Sequence, residues 1–365
     1  MRPARARLAF LATTLAVPIA LVPAARAQEV VDIDAGNDRT RRTETTSPAR
    51  LRAALPGGGG TVRFGAQVLV RALTPLTERP DKSVFALTAS RASVRASLAG
   101  GYEVYLRADL SRTPSVLDAE LSARLAPGLR VDVGRYKTPF SYEFLTSRAG
   151  LDFIDRSRVV STLVPNRRLG AEAELTLLPR DLLTVTAGLF DGAAPEGESA
   201  NGTLLGVVRV QAHLPPGVVR ATGLRATVGV NVAVEDGRTG VTDEVLGARG
   251  RTVVGVDGRA RLGRLVVAGE WIGETVRGAR AVGTGLPVGF DNREGFYATA
   301  GVDLTMDHRL LARLDRFDGI SEVLGGLNVS LTPAVTTQLN VFVPATGTPA
   351  GTRGVRLGMS AQVNF

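Results

Sequence analysis

Apolar and polar positions alternate along most of residues 61–365. In the last stretch, one face carries Val355, Leu357, Met359, Ala361, Val363 and Phe365, and the other carries Arg356, Gly358, Ser360, Gln362 and Asn364. A period of two residues is typical of a strand with one apolar and one polar face. About sixteen such stretches follow one another, and most have the roughly 9 to 11 residues that a tilted membrane strand needs. The pattern predicts an all-β fold, namely a transmembrane antiparallel β-barrel of about sixteen strands.

The connections between these stretches alternate between short and long. Short turns fall near Gly100, Pro127, Pro179, Pro215, Gly263, Asp307 and Pro333, and the longer segments are 73–83, 135–167, 191–202, 235–250, 278–293 and 344–353. Outer-membrane barrels combine short periplasmic turns with longer extracellular loops in this way. A secreted soluble β protein is the alternative, and it would not require this alternation. The final strand, closing on Phe365, looks like the signal that barrel-assembly machinery recognises, so we expect that machinery to be a partner.

Residues 1–27 predict export from the cytoplasm. Arg2, Arg5 and Arg7 precede an apolar run from Leu8 to Val22, and Ala25-Arg26-Ala27 forms a small-x-small cleavage site, as in a secretory signal peptide. A signal anchor is the alternative, but the apolar run contains Pro18 and is shorter than the roughly 20 residues that span a bilayer. We therefore expect the bacterial outer membrane as the final location, with outer-membrane lipid and lipopolysaccharide around the barrel.

Residues 28–60 differ in texture from the rest of the chain. They are polar, contain "DAGNDRTRRTETTSPAR" and end on "PGGGG", and such a composition buries too little apolar surface to fold alone. We interpret them as a flexible periplasmic arm in which "RLRAALP" forms at most a short helical turn. The predicted organisation is a signal peptide at 1–27, this arm at 28–60 and the barrel at 61–365.

Composition excludes several function classes. The chain has no cysteine and only His213 and His308, so a thiolate site or an imidazole cluster is excluded. There is no Gly-x-Ser-x-Gly elbow, and we expect neither an enzyme nor a cofactor or metal. Without the four arginines of residues 1–27, 40 basic residues of the original 44 face 35 acids, a net charge of +5. Nucleic-acid binding is not expected, because the pI of 10.7 is raised by the signal segment and by arginine usage.

The segment 134–170 breaks the alternation, and strand counting makes it the third outer loop. It is longer than a hairpin needs, so it can fold back into the lumen, which in a barrel of this size is wide enough for an aqueous channel. Its charge is +4, from seven basic residues and the acids Glu143, Asp152 and Asp155. A basic constriction attracts small anions and repels cations. The candidate pore residues are Arg135, Lys137, Arg148, Arg156, Arg158, Arg167 and Arg168 of the loop, with Arg107 and Arg124 of the wall.

Two interpretations of the loop residues remain open at this stage. Phe140, Phe144 and Phe153 are expected to pack the loop against the wall and to give it a fixed shape. Each arginine could instead be a solvated loop charge or pair with a loop acid or an inward acid of the wall. The polar faces of the strands carry both signs of charge, which predicts a salt-bridge network and a transverse field inside the barrel.

"GRYKTPFSYEFLTS", followed by "LDFIDRS" and "RRLG", resembles the segment leading into the third loop of the phosphate-selective porin O and P family. The similar positions are Gly134, Lys137, Pro139-Phe140, Ser141, Glu143, Leu145-Thr146-Ser147, Phe153 and Asp155-Arg156-Ser157. The resemblance implies a sixteen-stranded, homotrimeric channel with a basic interior, so we expect a passive porin that prefers anions such as phosphate. A non-selective or structural outer-membrane barrel is the alternative. Two departures from the family are the low aromatic content of 5% and the lack of an identifiable ladder of arginines on the wall.

Overall fold

The computed structural model of the chain describes residues 52–54, 59–76, 85–111, 115–177, 182–192, 204–235, 240–242, 245–248, 250–277, 280–281, 291–347 and 354–364. The predicted signal peptide, most of the predicted arm and the terminal Phe365 lie outside the described residues. So do parts of several outer loops.

Sixteen antiparallel strands form the wall of a closed barrel. They are β2 (Gly60–Pro75), β3 (Phe85–Leu98), β4 (Tyr102–Asp109), β5 (Ser115–Ala126), β6 (Leu129–Lys137), β7 (Arg167–Leu177), β8 (Leu183–Asp191), β9 (Leu204–His213), β10 (Leu224–Glu235), β13 (Gly250–Leu262), β14 (Leu265–Arg277), β16 (Asp291–Asp303), β17 (His308–Phe317), β18 (Ile320–Thr332), β19 (Val335–Thr346) and β20 (Arg356–Asn364). The first and last of these pair with each other from Gln67↔Asn364 to Pro75↔Arg356, and this pairing closes the barrel. The predicted fold class is confirmed.

Four further short strands lie among the described residues. β1 (Arg52–Ala54) pairs with the start of β2, and β11 (Gly240–Thr242), β12 (Val245–Ala248) and β15 (Arg280–Ala281) form a separate three-stranded sheet within two connections. The prediction for "RLRAALP" was wrong, because residues 52–54 are extended and bonded to β2 instead of helical. Edge hydrogen bonds on a neighbouring strand outweigh the helical propensity of so short a segment.

The two faces of the wall follow the predicted alternation. Along β10, Val228, Val230 and Val232 are exposed on the outer surface, whereas Gly229 and Asn231 between them are buried toward the lumen. A dry apolar surface around a charged interior suits a barrel whose outside contacts lipid. The inward face carries most of the arginines and carboxylates of the described strands.

Within the described connections, three short α-helices are present. Two of them, α1 (Tyr142–Leu145) and α2 (Arg158–Leu163), belong to the connection between β6 and β7. The third, α3 (Pro216–Thr222), occupies the connection near Pro215 that the sequence predicts as a tight turn. Its proline at the first helical position and Gly223 in the left-handed conformation define its two ends. Among the described residues, no helix has the length and apolarity to cross a membrane.

Placing a charge on the outer face tests the position of the wall in the membrane. We expect Val230→Arg, at the middle of β10, to lower the free energy of unfolding by about 2–4 kcal/mol, because a guanidinium at the bilayer midplane loses its hydration. The same substitution near the outer end of the same strand and face, Val234→Arg, should cost only about 0–1 kcal/mol. Urea unfolding of the folded protein in lipid vesicles measures both values. Equal costs at the two depths would contradict this placement.

Candidate functional site

The connection between β6 and β7, residues 138–166, folds into the lumen and is called the third loop below. Its side chains and backbone contact the inner faces of β2, β10, β13, β14 and β17–β20. None of these strands is adjacent to β6 or β7, where the loop begins and ends, and β17 and β18 lie on the opposite side of the barrel. The loop therefore divides the barrel interior, as the sequence predicts.

The first anchor of the third loop is the Glu270 carboxylate of β14. It accepts hydrogen bonds from the Ser141 hydroxyl, at 2.6 and 3.0 Å, and from the Glu143 backbone N–H at 3.2 Å. Ser141 also donates its backbone N–H to the Asn231 side chain of β10. These contacts hold Ser141 at a φ of +69°, a left-handed conformation that is unfavourable for a non-glycine residue. Its Oγ also accepts the N–H of Phe144, which caps α1.

The second anchor is Glu143, which ties the two helices of the loop to the wall. One carboxylate oxygen accepts the Ser157 N–H at 2.8 Å, and the other forms an ion pair with Arg313 of β17 at 2.6 Å. The Arg313 guanidinium lies 4.5 Å from the ring centres of both Phe153 and Tyr297, so it is held by cation–π contacts as well. This buried pair is satisfied on several sides, and loss of either partner would leave an uncompensated charge.

Wall amides and carboxylates fix the backbone of the loop further along. Asn340, Gln338 and Gln362 hydrogen-bond to backbone groups of Ile154, Leu151 and Ala149 at 2.8–2.9 Å. In addition, Asp315 accepts the Arg158 N–H at 3.0 Å, and Arg251 donates to the Leu163 carbonyl at 2.8 Å. These contacts satisfy backbone groups that a loop inside a lumen would otherwise leave without partners.

The phenylalanines pack the loop on the wall, as expected. Phe140 is fully buried in an apolar cluster with α2 residues, and Phe153 belongs to a second cluster with Leu311 and Leu324. Both rings lie over wall glycines, since a Cβ at Gly255 would meet Phe140 at 3.2 Å and one at Gly326 would meet Phe153 at 3.0 Å. The missing side chains at these wall positions make room for the loop.

The predicted pore residue Lys137 is engaged by the backbone of the third loop. Its ammonium donates to the carbonyl oxygens of Phe144, Leu145 and Thr146 at the C-terminal end of α1. A cation there also interacts favourably with the helix dipole. Lys137 therefore holds the fold of the loop.

Arg156 contacts the same end of α1. Its guanidinium donates to the carbonyls of Glu143, Phe144 and Thr146 at 2.9–3.3 Å. Burial lowers its pKa to about 10, with Arg148, Arg167 and Arg91 acting in the same direction and Glu143 opposing them. The group is still charged at neutral pH. Lys137 and Arg156 thus both bind carbonyl oxygens of the loop, and both lie within electrostatic range of Arg167.

A second set of basic groups lies where the third loop faces β2–β5 and the start of β7. We call Arg71, Arg91, Arg107, Arg148 and Arg167 the constriction arginines. Arg91 and Lys137 both lie within electrostatic range of Arg107 and Arg167. Arg148 lies within electrostatic range of Arg71. Three predicted pore residues, Arg107, Arg148 and Arg167, belong to this set.

The constriction arginines outnumber their acidic partners. Asp118 is shared by Arg167, at 2.8 Å, and Arg107, at 3.7 Å. Asp155 is shared in the same way by Arg71, at 2.9 Å, and Arg148, at 3.7 Å. Arg91 pairs with Asp109 at 2.9 Å. The five constriction arginines therefore face three carboxylates, which leaves this set with a net charge of +2.

The remaining predicted pore residues lie elsewhere. Arg158 pairs with Glu322 of β18 on the opposite wall, and Arg168 donates to the Gly192 carbonyl near the outer loops. Arg124 is exposed near the turn between β3 and β4. Arg135 lies opposite Leu169 in the strand register, and because Leu169 is 56% exposed on the outer surface, Arg135 shares its outward face. These four residues do not join the constriction arginines.

Sequence reasoning missed Arg71 as a site residue and did not single out Arg91. Both occupy inward positions of the alternating pattern, on β2 and β3, and that signal was available. The sequence does not show that these arginines lie close to the third loop in space, because Arg71 and Asp155 are 84 residues apart in the chain.

Comparisons with known proteins agree on the architecture. The family model for phosphate-selective porin O and P matches residues 89–311, which is more than half of the chain. The anion-selective porin from Comamonas acidovorans has a TM-score of 0.58 at 13% identity, with 84% of this chain and 100% of that chain covered. A loop L8 deletion mutant of OmpT, an outer membrane protein of Vibrio cholerae, gives the same four values. The trimer form of in-vitro folded OmpT has a TM-score of 0.54 at 13% identity and the same coverage. No curated protein matches the sequence.

Lys137→Met tests the structural role of the buried ammonium. The variant keeps a long side chain but removes three charged hydrogen bonds, so that the Leu145 carbonyl loses its side-chain donor and the Phe144 and Thr146 carbonyls keep only Arg156. A hydrogen bond to a charged group contributes about 1.5–3 kcal/mol. We expect the free energy of local opening for amides 142–146 to fall by at least about 2 kcal/mol, measured by hydrogen exchange with mass spectrometry. Arg148→Met removes the same charge from the same loop without touching α1, and it should leave these amides unchanged. Equal exchange in wild type and Lys137→Met would contradict the assignment.

Proposed function

The chain belongs to the phosphate-selective porin O and P family and is a porin of the bacterial outer membrane, and on this premise we propose that the protein is a passive diffusion channel that prefers small anions. The family and the barrel give the channel. The observation that supports the anion preference is the +2 charge of the constriction, where Arg71, Arg91, Arg107, Arg148 and Arg167 share three carboxylates.

The physical basis of the preference is repulsion of cations at a narrow point. Basic side chains that line a constriction raise the local concentration of anions and lower that of cations. Arg107 and Arg148 are best placed to contact a solute, because each reaches its carboxylate only at 3.7 Å, whereas another arginine binds the same carboxylate at 2.8 or 2.9 Å. A guanidinium fork suits the oxygens of phosphate, sulfate and carboxylates. We therefore propose small oxyanions and chloride as permeating solutes.

The assembly and surroundings are also part of the proposal. The resemblance to the family and the trimer form of OmpT support a homotrimer. The apolar outer face of the wall suits contact with outer-membrane lipid and lipopolysaccharide. Recognition of Phe365 by the barrel-assembly machinery, cleavage after residue 27 and a flexible arm at 28–60 remain proposals from the sequence.

Ion selectivity of the wild-type protein is the primary test. The folded protein, reconstituted in a planar bilayer with a KCl gradient, should give a reversal potential of the sign set by chloride, because the constriction repels potassium. A reversal potential set by potassium would rule out the anion preference. A barrel that gives no discrete conductance would favour the structural alternative, and one that gives a reversal potential near zero would favour the non-selective alternative.

Two variants of the third loop locate the selective charge. We expect Arg148→Gln to lower the ratio of chloride to potassium permeability by about twofold, because it removes one charge of the constriction. Arg158→Gln removes the same charge from the same loop, but its partner Glu322 lies on the opposite wall. It should change the ratio much less. If the two variants had equal effects, the selectivity would come from the loop's total charge and not from the constriction arginines.

A further inference from the structure

Asp155 differs from the other acids that hold the third loop. Its side chain is 44% exposed, whereas the Glu143 side chain is 5% exposed and that of Glu322 is 6% exposed. Ion pairs in contact with water are weak and are screened by salt, whereas buried pairs keep their partners. Among the anchors of the loop, the contact from Asp155 to Arg71 is therefore the one that a solute can exchange.

The carboxylate of Asp155 is held unequally by its two arginines. The Arg71 guanidinium nitrogen Nη1 lies 2.9 Å from both carboxylate oxygens of Asp155. Arg148 approaches only to 3.7 Å, beyond hydrogen-bond distance. Within the described part of the chain the Arg148 guanidinium donates no hydrogen bond, and its Nε is buried without a partner. Two cations thus face one monovalent carboxylate, and one of them has unused donors.

We propose that Asp155 is a built-in competitor for divalent oxyanions and a specificity-determining residue of the constriction. Its carboxylate occupies the place between Arg71 and Arg148 that a solute oxyanion would take. A dianion would neutralise both guanidiniums, which the carboxylate does not, and the Asp155 side chain is free to turn toward water. The residue would therefore prevent tight retention of a dianion while it keeps the passage basic, since binding must be weak enough for the solute to leave. This inference rests on the proposed function, because it assumes that anions reach the constriction.

The burial of Arg148 supports the same assignment. Desolvation lowers the pKa of its guanidinium and Arg71 acts in the same direction, whereas Asp155 and Asp109 oppose the change. A partly desolvated cation beside a second cation is stabilised by an added negative charge. The Asp155 carboxylate supplies part of that charge, and a bound dianion would supply more.

The experiment compares two isosteric variants that each remove one negative charge from the constriction. Asp155→Asn removes the competitor between Arg71 and Arg148. The matched control Asp109→Asn removes a carboxylate that is held by Arg91, Ser111 and the Ser90 N–H. A general change of field would affect both variants equally. Chloride current through single channels is measured while inorganic sulfate is added, and the half-blocking sulfate concentration is determined for wild type and both variants.

We expect the half-blocking concentration to fall about threefold to tenfold in Asp155→Asn and to change by less than about twofold in Asp109→Asn. An equal shift in both variants, or no shift in either, would overturn the proposal. Hydrogen exchange over residues 141–157 should match wild type, since the buried anchors remain. If that exchange rises instead, the role of Asp155 is structural and the inference falls.

The outcome is separable from the proposed function. If wild type were selective for potassium in the KCl gradient and sulfate still blocked Asp155→Asn more strongly than Asp109→Asn, the anion preference would fall and the site would stand. If wild type preferred chloride and the two variants behaved alike, the porin assignment would stand and the competitor role would fall.

Discussion

The position of the third loop depends on the buried carboxylate of Glu143. It joins the N-terminus of α2, through Ser157, to Arg313 of the wall, and it lies next to the α1 cap that Glu270 holds. With both oxygens bonded and the guanidinium between two aromatic rings, the pair retains its geometry in a lumen that water can enter. The positions of Arg148, Asp155 and Arg156 opposite β2–β4 follow from it, because these residues lie on the chain between the two helices.

The residues that carry the family resemblance turn out to encode the fold of the loop. Ser141, Ser147 and Ser157 cap its helical turns, Lys137 and Arg156 bind the carbonyls of α1, and Glu143 links the two helices. A motif of this kind defines where the passage narrows. The solute contacts that we propose lie outside or beside the motif, on β2, β3 and β4 and at Arg148.

Much of the wall was predictable because a period of two residues assigns every side chain to a face. The count of strands then placed the irregular segment as a third outer loop, and its length and aromatic residues predicted an inward fold. The roles of Lys137 and Arg156 were not predictable, because the sequence pattern of a basic loop residue is the same whether its side chain is solvated or donates to backbone carbonyls. The anchors themselves are distant in sequence, as with Ser141 and Glu270, which are 129 residues apart. For β1, a three-residue strand has too short a pattern to be distinguished from a helical turn.

The pairing of β1 with β2 affects the part of β2 that β20 does not cover. β20 pairs with β2 from Gln67 to Pro75, and nearer the start of β2 the residues Thr61, Val62 and Arg63 pair with β1 instead. Because β3 covers the other side of β2 over the same stretch, the backbone donors and acceptors there are satisfied on both sides. An uncovered strand end is a template for joining another chain. The short β1–β2 hairpin therefore covers the exposed side of residues 61–63 where the barrel closes. The backbone of β2 is then not available there, at the periplasmic end, for pairing with a neighbouring molecule.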